Sequence, residues 1–239
     1  MVESSKLLGI IGGMGTQATA CFYKVLHDQQ NVASEQEYID VLLYSKPSIP
    51  DRTAYITGQS SESPLEHLIR AAQMLESDGA ACIVVPCATS HFFFTDLANA
   101  VNVPILNMLD ETAAYVKNSG IKSVCLLATD GTLKGGFFHK AFEKFAITVT
   151  VPSESAQADL MDIIYDIKRG EAVSTDILGS IIADAQANGA EAVVLGCTEL
   201  CVIADKTWDK ASVGNTAPNL SVISILDVLA EASISFFRD

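Results

Sequence analysis

The segments Gly79-Ala80-Ala81-Cys82-Ile83-Val84-Val85-Pro86-Cys87 and Gly189-Ala190-Glu191-Ala192-Val193-Val194-Leu195-Gly196-Cys197 align without a gap at an offset of 110 residues. Each is an apolar run that ends in a cysteine. A short run of this kind, bounded by Gly and Pro, reads as a buried strand, and open parallel sheets bind ligands outside the carboxyl ends of their strands. The repeat therefore predicts two related halves, each delivering one thiol to an equivalent place, with both thiols facing one substrate.

Outward from the repeat, apolar runs alternate with helical spacing. Residues 7–11 form an apolar run followed by Gly12-Gly13-Met14-Gly15 and a helical pattern over 16–29, which reads as strand, glycine loop and helix. A strand over 38–44, a polar loop over 45–53 with two prolines, a helix over 64–75 and a helix over 90–100 complete the first half. A strand over 103–108 and a helix over 111–117 follow. The strand at 123–128, the loop Thr129-Asp130-Gly131-Thr132 and a helix through Lys144 repeat the opening of the chain, Gly131-Thr132 matching Gly15-Thr16. Residues 147–151 read as a strand, and 160–168 and 175–187 as helices. Residues 204–218, which hold Trp208, read as irregular, and 222–237 as a terminal helix.

Strands alternating with helices imply parallel sheets flanked by helices. The expected fold is α/β, with two pseudo-symmetric domains, each a mostly parallel sheet flanked by helices, and the active site in the interdomain cleft. The chain is expected to cross near Asn107 and to return near Thr216, giving a discontinuous first domain (1–106 plus 216–239) and a second over 107–215.

Composition narrows the function. In 239 residues, 49% hydrophobic, there is ample material for a core, and a formal charge of −14 argues against nucleic acid or an anionic membrane as partner. The six cysteines lack the paired spacing of a disulfide or zinc framework, so reduced thiols and a cytoplasmic location are expected. No signal peptide is apparent, and no apolar stretch approaches the roughly 18 residues of a membrane span.

A cysteine between a strand and a helix N-terminus meets unpaired N–H groups and the positive end of a helix dipole, both favouring thiolate. Polar neighbours follow both repeat cysteines: Thr89, Ser90 and His91 after Cys87, Thr198 and Glu199 after Cys197. Two acid/base groups on opposite faces of one carbon suit stereoinversion, one removing a proton while the other supplies one. Fixed hydrogen bonds must then stabilise a carboxylate taking on enolate character. The candidates are the glycine loop with Gly13 and Met14, and Thr89, Ser90, Thr132 and Thr198. Cys21, Cys82, Cys125 and Cys201 read as core or structural residues. No motif demands pyridoxal phosphate, a nucleotide or a metal, so no cofactor is expected.

The motifs Leu8-Gly9-Ile10-Ile11-Gly12-Gly13-Met14-Gly15, Pro50-Asp51-Arg52-Thr53, Pro86-Cys87-Ala88-Thr89-Ser90-His91, Ala128-Thr129-Asp130-Gly131-Thr132 and Leu195-Gly196-Cys197-Thr198-Glu199-Leu200 resemble the aspartate/glutamate racemase family, in particular its aspartate racemase branch. The resemblance runs in order over nearly the whole chain. It implies a cofactor-independent racemase of a small acidic amino acid, a homodimer, Cys87 and Cys197 as the two acid/base residues, and Arg52 and Lys168 as contacts to the substrate's acidic side chain. Two positions depart from the family pattern. Ala88 stands where an asparagine amide usually helps hold the substrate, and Ile223-Ser224 replaces a usual Ile-Asp. A single-cysteine isomerase or decarboxylase of small diacids and a non-catalytic binder of acidic amino acids are the competing readings.

Several residues carry plainer explanations. Gly13-Met14-Gly15-Thr16-Gln17-Ala18 fits a dinucleotide pattern, but Asp40 lies near the start of the second strand, where a ribose-binding acid would not stand. Cys87 and His91 have the i, i+4 spacing of metal ligands without the third and fourth that a site needs. His91 reads as capping or packing its helix. Lys168 has a macrodipole explanation at its helix end, and Glu199 reads either as an N-terminal helix acid or as orienting Cys197 or the substrate ammonium.

Overall fold

The computed structural model describes residues 7–206 and 220–238. Two parallel sheets organise it. In the first, β1 (Leu7–Gly12) lies between β2 (Asp40–Ser45) and β3 (Cys82–Val84). In the second, β4 (Ser123–Leu127) lies between β5 (Thr148–Thr150) and β6 (Ala192–Leu195), and β7 (Ser221–Ser224) joins outside β6. β3, β6 and nearly all of β1 and β4 are buried, as strands covered on both faces must be.

The helices are α1 (Thr16–Gln29), α2 (Arg52–Thr57), α3 (Leu65–Ser77), α4 (Phe94–Asn99), α5 (Met108–Asn118), α6 (Asp130–Gly135), α7 (Phe137–Glu143), α8 (Glu154–Arg169), α9 (Asp176–Ala187), α10 (Thr198–Lys206) and α11 (Ile225–Arg238). A 3-10 turn over Ala88–Phe93 precedes α4.

The duplication survives at the level of register. Gly9 lies beside Ile83 in the first sheet and Cys125 beside Val193 in the second, and Ile83 and Val193 occupy the same place in the repeat. At the outer edge Ile83 bridges to Ile105 and Val193 pairs with Val222. Asn107 then caps α5 through its side-chain oxygen, and the Ser224 hydroxyl accepts from the Asp227 amide at the start of α11. The helices that follow are exchanged: α5 packs on α7 of the second half, and α11 packs on α1 of the first. Leu8, Ile10, Phe22, Phe138 and Phe142 are all without exposed surface, each such side chain stabilising the fold by about 1.5–3 kcal/mol.

Several expectations need correcting. The strand expected over 103–108 is a single bridge at Ile105, since Pro104 has no N–H to continue a ladder. The helix expected over 90–100 begins as a 3-10 turn at Ala88. The loop over 45–53 ends in α2, capped by the Asp51 side chain, which accepts from the Ala54 amide at 2.8 Å. The helix expected to run to Lys144 breaks at Gly136, whose φ of 65° favours glycine. Residues 222–224, read as the start of the terminal helix, belong to β7 (Ser221–Ser224), whose alternating Ser and β-branched residues suit a strand. The chain therefore leaves the second sheet only after Ser224. Thr216 and Trp208 lie outside the described residues.

Candidate active site

Both cysteines emerge just beyond their strands and are buried, Cys87 at 5% and Cys197 at 4% exposure. Gly196 makes the second exit possible: a Cβ there would lie 2.5 Å from Leu126 Cδ1 and 3.2 Å from the Leu127 carbonyl oxygen. All six cysteines are free thiols.

The turn after Cys87 reaches the second half through hydroxyls. Thr89 Oγ1 lies 3.1 Å from Thr129 Oγ1 and 3.0 Å from Thr132 Oγ1, and Thr129 and Thr132 are themselves 3.0 Å apart. Thr129 also caps α6, accepting from the Thr132 amide. All three side chains are buried. The Ser90 hydroxyl donates to Met14 Sδ at 3.5 Å, which joins the Cys87 turn to the glycine loop. Ala88 packs in the main core cluster, so this position offers the site no polar group.

The turn after Cys197 is charged. The thiol donates to Glu199 Oε2 at 3.0 Å, and the Thr198 hydroxyl donates to the same oxygen at 3.4 Å. The other oxygen, Oε1, is buried without a hydrogen-bond partner among the described residues and lies 3.0 Å from where a Cβ on Gly15 would stand. Burial, and then the Glu199 carboxylate, push the Cys197 pKa well above the ordinary thiol value, with Lys168 opposing them. The expectation that helix position favours thiolate is therefore overturned at Cys197. A dipole effect acting at a helix end is outweighed by loss of water and an adjacent anion.

Arg52 and Lys168 are the cations near this turn, one from each half. Arg52, 7% exposed, donates to the carbonyls of Ile49 (3.2 Å), Pro50 (3.0 Å) and Met14 (3.4 Å), while its buried Nε has no partner among the described residues. Lys168 Nζ stands 3.8 Å from Asp51 Oδ2 and 4.7 Å from the centre of the Tyr165 ring. Burial works to lower its pKa, but Glu199, Cys197 and Asp51 outweigh it, and the net shift is upward. Lys168 is a cation held among anions, which is more than a helix-end charge.

Gly13 serves the loop's shape: its φ is +94°, a Cβ would come within 2.5 Å of the Lys46 backbone, and its amide donates to Thr19 Oγ1. His91 has both ring nitrogens engaged by backbone. The Met108 amide donates to Nε2 at 3.2 Å, so the ring proton sits on Nδ1, which donates to the Cys87 carbonyl at 3.1 Å. No nitrogen is left for a metal ion. Among the described residues no group of three or more His, Cys, Asp or Glu is placed to hold one, and no helix is long and apolar enough to cross a membrane.

Three contributors were not picked out in the sequence. Asp51 was read as loop, although Pro-Asp before a helical run is a capping signal. Tyr165 lies one turn before Lys168 on α8, a pairing that i, i+3 spacing predicts once α8 is known. Thr129 had no signal apart from its place in the duplicated loop.

The profile of the Asp/Glu/Hydantoin racemase family matches residues 11–232. The chain belongs to this family. Among solved structures it is similar to an aspartate racemase from Picrophilus torridus, with 30% identity, a TM-score of 0.84, and 97% of this chain and 94% of that one covered. An aspartate racemase homologue from Pyrococcus horikoshii OT3 has 26% identity and a TM-score of 0.76, covering 98% of this chain and 100% of that one. A broad specificity amino-acid racemase from Bacillus subtilis (strain 168) is 23% identical over 95% of this chain and its own full length. The two-sheet α/β architecture is that of the racemase structures.

Proposed function

We propose that this family member is an isomerase that inverts the α-carbon of aspartate, with glutamate as the second candidate substrate, without a cofactor, using Cys87 and Cys197 as acid/base groups on opposite faces of the carbon. The observation that carries this reading is the matched register of the two halves, which puts one buried cysteine beyond the same strand position in each. The charges gathered around Cys197 fit a dicarboxylic amino acid. Arg52 and Lys168 supply two cations for carboxylates, and the unpartnered Glu199 Oε1 supplies an acceptor for the ammonium group. Thr89, Ser90, Thr132 and Thr198, with Met14 of the loop, supply hydroxyls and shape for the α-carboxylate.

Mechanism follows from the surroundings of Cys197. It rests as a thiol, so the enantiomer whose α-hydrogen points at Cys87 is deprotonated there and receives its new proton from Cys197. For the other enantiomer, Cys197 must first lose its proton, and Glu199 Oε2 at 3.0 Å is the acceptor in reach. The two lobes, the first sheet with its helices and the returning α11, and the second sheet through Ser224 with its helices, act as the two walls of the cleft. A homodimer in the cytoplasm is the working form in this reading, which sedimentation and fractionation check.

The test is turnover of L-aspartate in deuterated water. Deuterium enters the α-carbon as D-aspartate forms, and Cys87→Ala and Cys197→Ala each reduce the racemisation rate by about a thousandfold or more, since each removes a proton-transfer group. Wild-type rates in both variants would end the two-thiol mechanism.

A further inference from the structure

His91 is fully engaged in hydrogen bonding yet has no part in the proton transfers proposed above. Its ring is 5% exposed and stacks on Phe94 with centroids 5.8 Å apart. One nitrogen donates to the carbonyl of Cys87 and the other accepts from the amide of Met108, the first residue of α5. That amide is one of the unpaired donors of a helix N-terminus, and α5 is the helix that crosses from the first sheet to pack on the second half. A single imidazole thus spans the Cys87 turn and the crossover between lobes.

The second half has a counterpart at the same distance from its cysteine. Cys201 stands four residues after Cys197, as His91 does after Cys87. Its thiol points back to the Cys197 carbonyl at 3.9 Å and the Leu195 carbonyl at 3.6 Å. It also meets the Ser224 hydroxyl and the Leu226 backbone, at the start of the other exchanged helix, α11. Duplication has kept the arrangement while changing its strength, because a thiol is a weak donor and an imidazole a good one. The charged group facing His91 is Asp110 on α5. Burial pulls the ring's pKa down to about 4, so it is neutral and its two nitrogens keep distinct roles.

We propose that His91 is a positioning residue for Cys87: it fixes the carbonyl end of the cysteine turn against the first turn of α5, so that the thiol's place follows the junction of the lobes. The inference rests on the reading of Cys87 as a proton-transfer group. Its two hydrogen bonds separate cleanly by substitution. In His91→Asn the amide nitrogen overlays Nδ1 and retains the bond to the Cys87 carbonyl, whereas in His91→Gln the amide oxygen overlays Nε2 and retains only the bond from Met108.

Both variants lose one buried hydrogen bond and melt at similarly lowered temperatures. Against that common loss, His91→Asn keeps kcat for L-aspartate within about threefold of wild type, while His91→Gln lowers it about tenfold or more with little change in KM. Alkylation of Cys87 by iodoacetamide, followed by mass spectrometry with Cys197 as internal reference, changes in His91→Gln and not in His91→Asn. Equal kcat and equal Cys87 reactivity in the two variants would overturn the proposal. The alkylation ratio reads the position of Cys87 even if the wild-type protein fails to racemise aspartate, so failure here is distinguishable from failure of the proposed function.

Discussion

The turn at Cys87 is tied to the opposite half by three threonine hydroxyls, whereas the turn at Cys197 meets it with a carboxylate whose unbonded oxygen lies close to Gly15. The two turns leave equivalent strands in matched register, yet one is uncharged and the other holds Glu199 within 3.0 Å of the thiol. Backbone symmetry alone would make the two thiols alike. The unlike neighbours hold Cys197 as a thiol, and an acid/base pair of the kind proposed needs environments that separate its members in this way.

The most damaging test of this contrast is Glu199→Gln. The amide keeps the shape and removes the charge that, after burial, does most to raise the Cys197 pKa. Cys197 is then expected to alkylate faster than in wild type at pH 8, and racemisation to fall about a hundredfold, a typical loss for a proton-transfer partner. Unchanged turnover would mean that Glu199 only packs against the glycine loop.

The pair His91 and Cys201 gives the next effect, on stability, with opposite signs at the two ends of the pH scale. His91 has its pKa lowered from 6.5 to about 4, so below pH 6.5 the unfolded chain binds a proton that the folded chain refuses. Stability is therefore lost as pH falls from 6.5 toward 4, by up to about 3 kcal/mol. Cys201 has its pKa raised from 9.0 to about 12; above pH 9 the unfolded chain releases a proton that the folded chain keeps, and stability is lost as pH rises. Cys82, also raised to about 12, adds to this alkaline loss. Urea unfolding across pH should show His91→Gln flattening the acid limb and Cys201→Ala flattening part of the alkaline one. A His91→Gln acid limb as steep as wild type would count against the buried neutral ring.

The repeat, the parallel sheets and the two exit cysteines were legible because apolar runs and glycine-bounded ends are local signals. β7 was not, since four residues are too short to announce themselves beside the helical pattern of 222–237, and the chain therefore still pairs in the second sheet after the return expected near Thr216. Arg52 and Lys168 were found through the resemblance. Asp51 was passed over because the six-residue run after it is too short to read as a helix, which left the Pro-Asp capping signal nothing to cap. The pKa of Cys197 was misjudged because the dipole argument is local, whereas burial and the approach of Glu199 depend on the folded chain.

Gly15 and Gly131 hold matching places in the two halves and differ in what they press against. A Cβ on Gly131 would meet the Thr53 Cα at 2.8 Å, backbone of α2, whereas on Gly15 it would meet Glu199 Oε1 at 3.0 Å, the end of a side chain. Backbone cannot yield cheaply, so Gly131→Ala costs about 1–3 kcal/mol of stability. Gly15→Ala is expected to melt near wild type while losing activity through a displaced carboxylate. Melting temperatures measured beside kcat/KM check both. A Gly15→Ala protein as active as wild type would separate Glu199 Oε1 from the chemistry.

The mildest change falls on the hydroxyl side. Thr129→Val keeps the shape of the side chain but removes the oxygen that accepts from the Thr132 amide and meets Thr89. The direct Thr89–Thr132 bond at 3.0 Å remains, so the halves stay linked, and the expected loss is about 1 kcal/mol, the usual cost of an N-cap. Thr129→Ser restores the oxygen and should restore the stability. KM for L-aspartate is expected to rise a few-fold in Thr129→Val with kcat nearly constant, because Thr89 and Thr132 are left to orient the carboxylate without their third partner. If Thr129→Val instead cost as much activity as Glu199→Gln, the uncharged turn would be as deeply involved in proton transfer as the charged one, and the electrostatic division between the two cysteines would have to be abandoned.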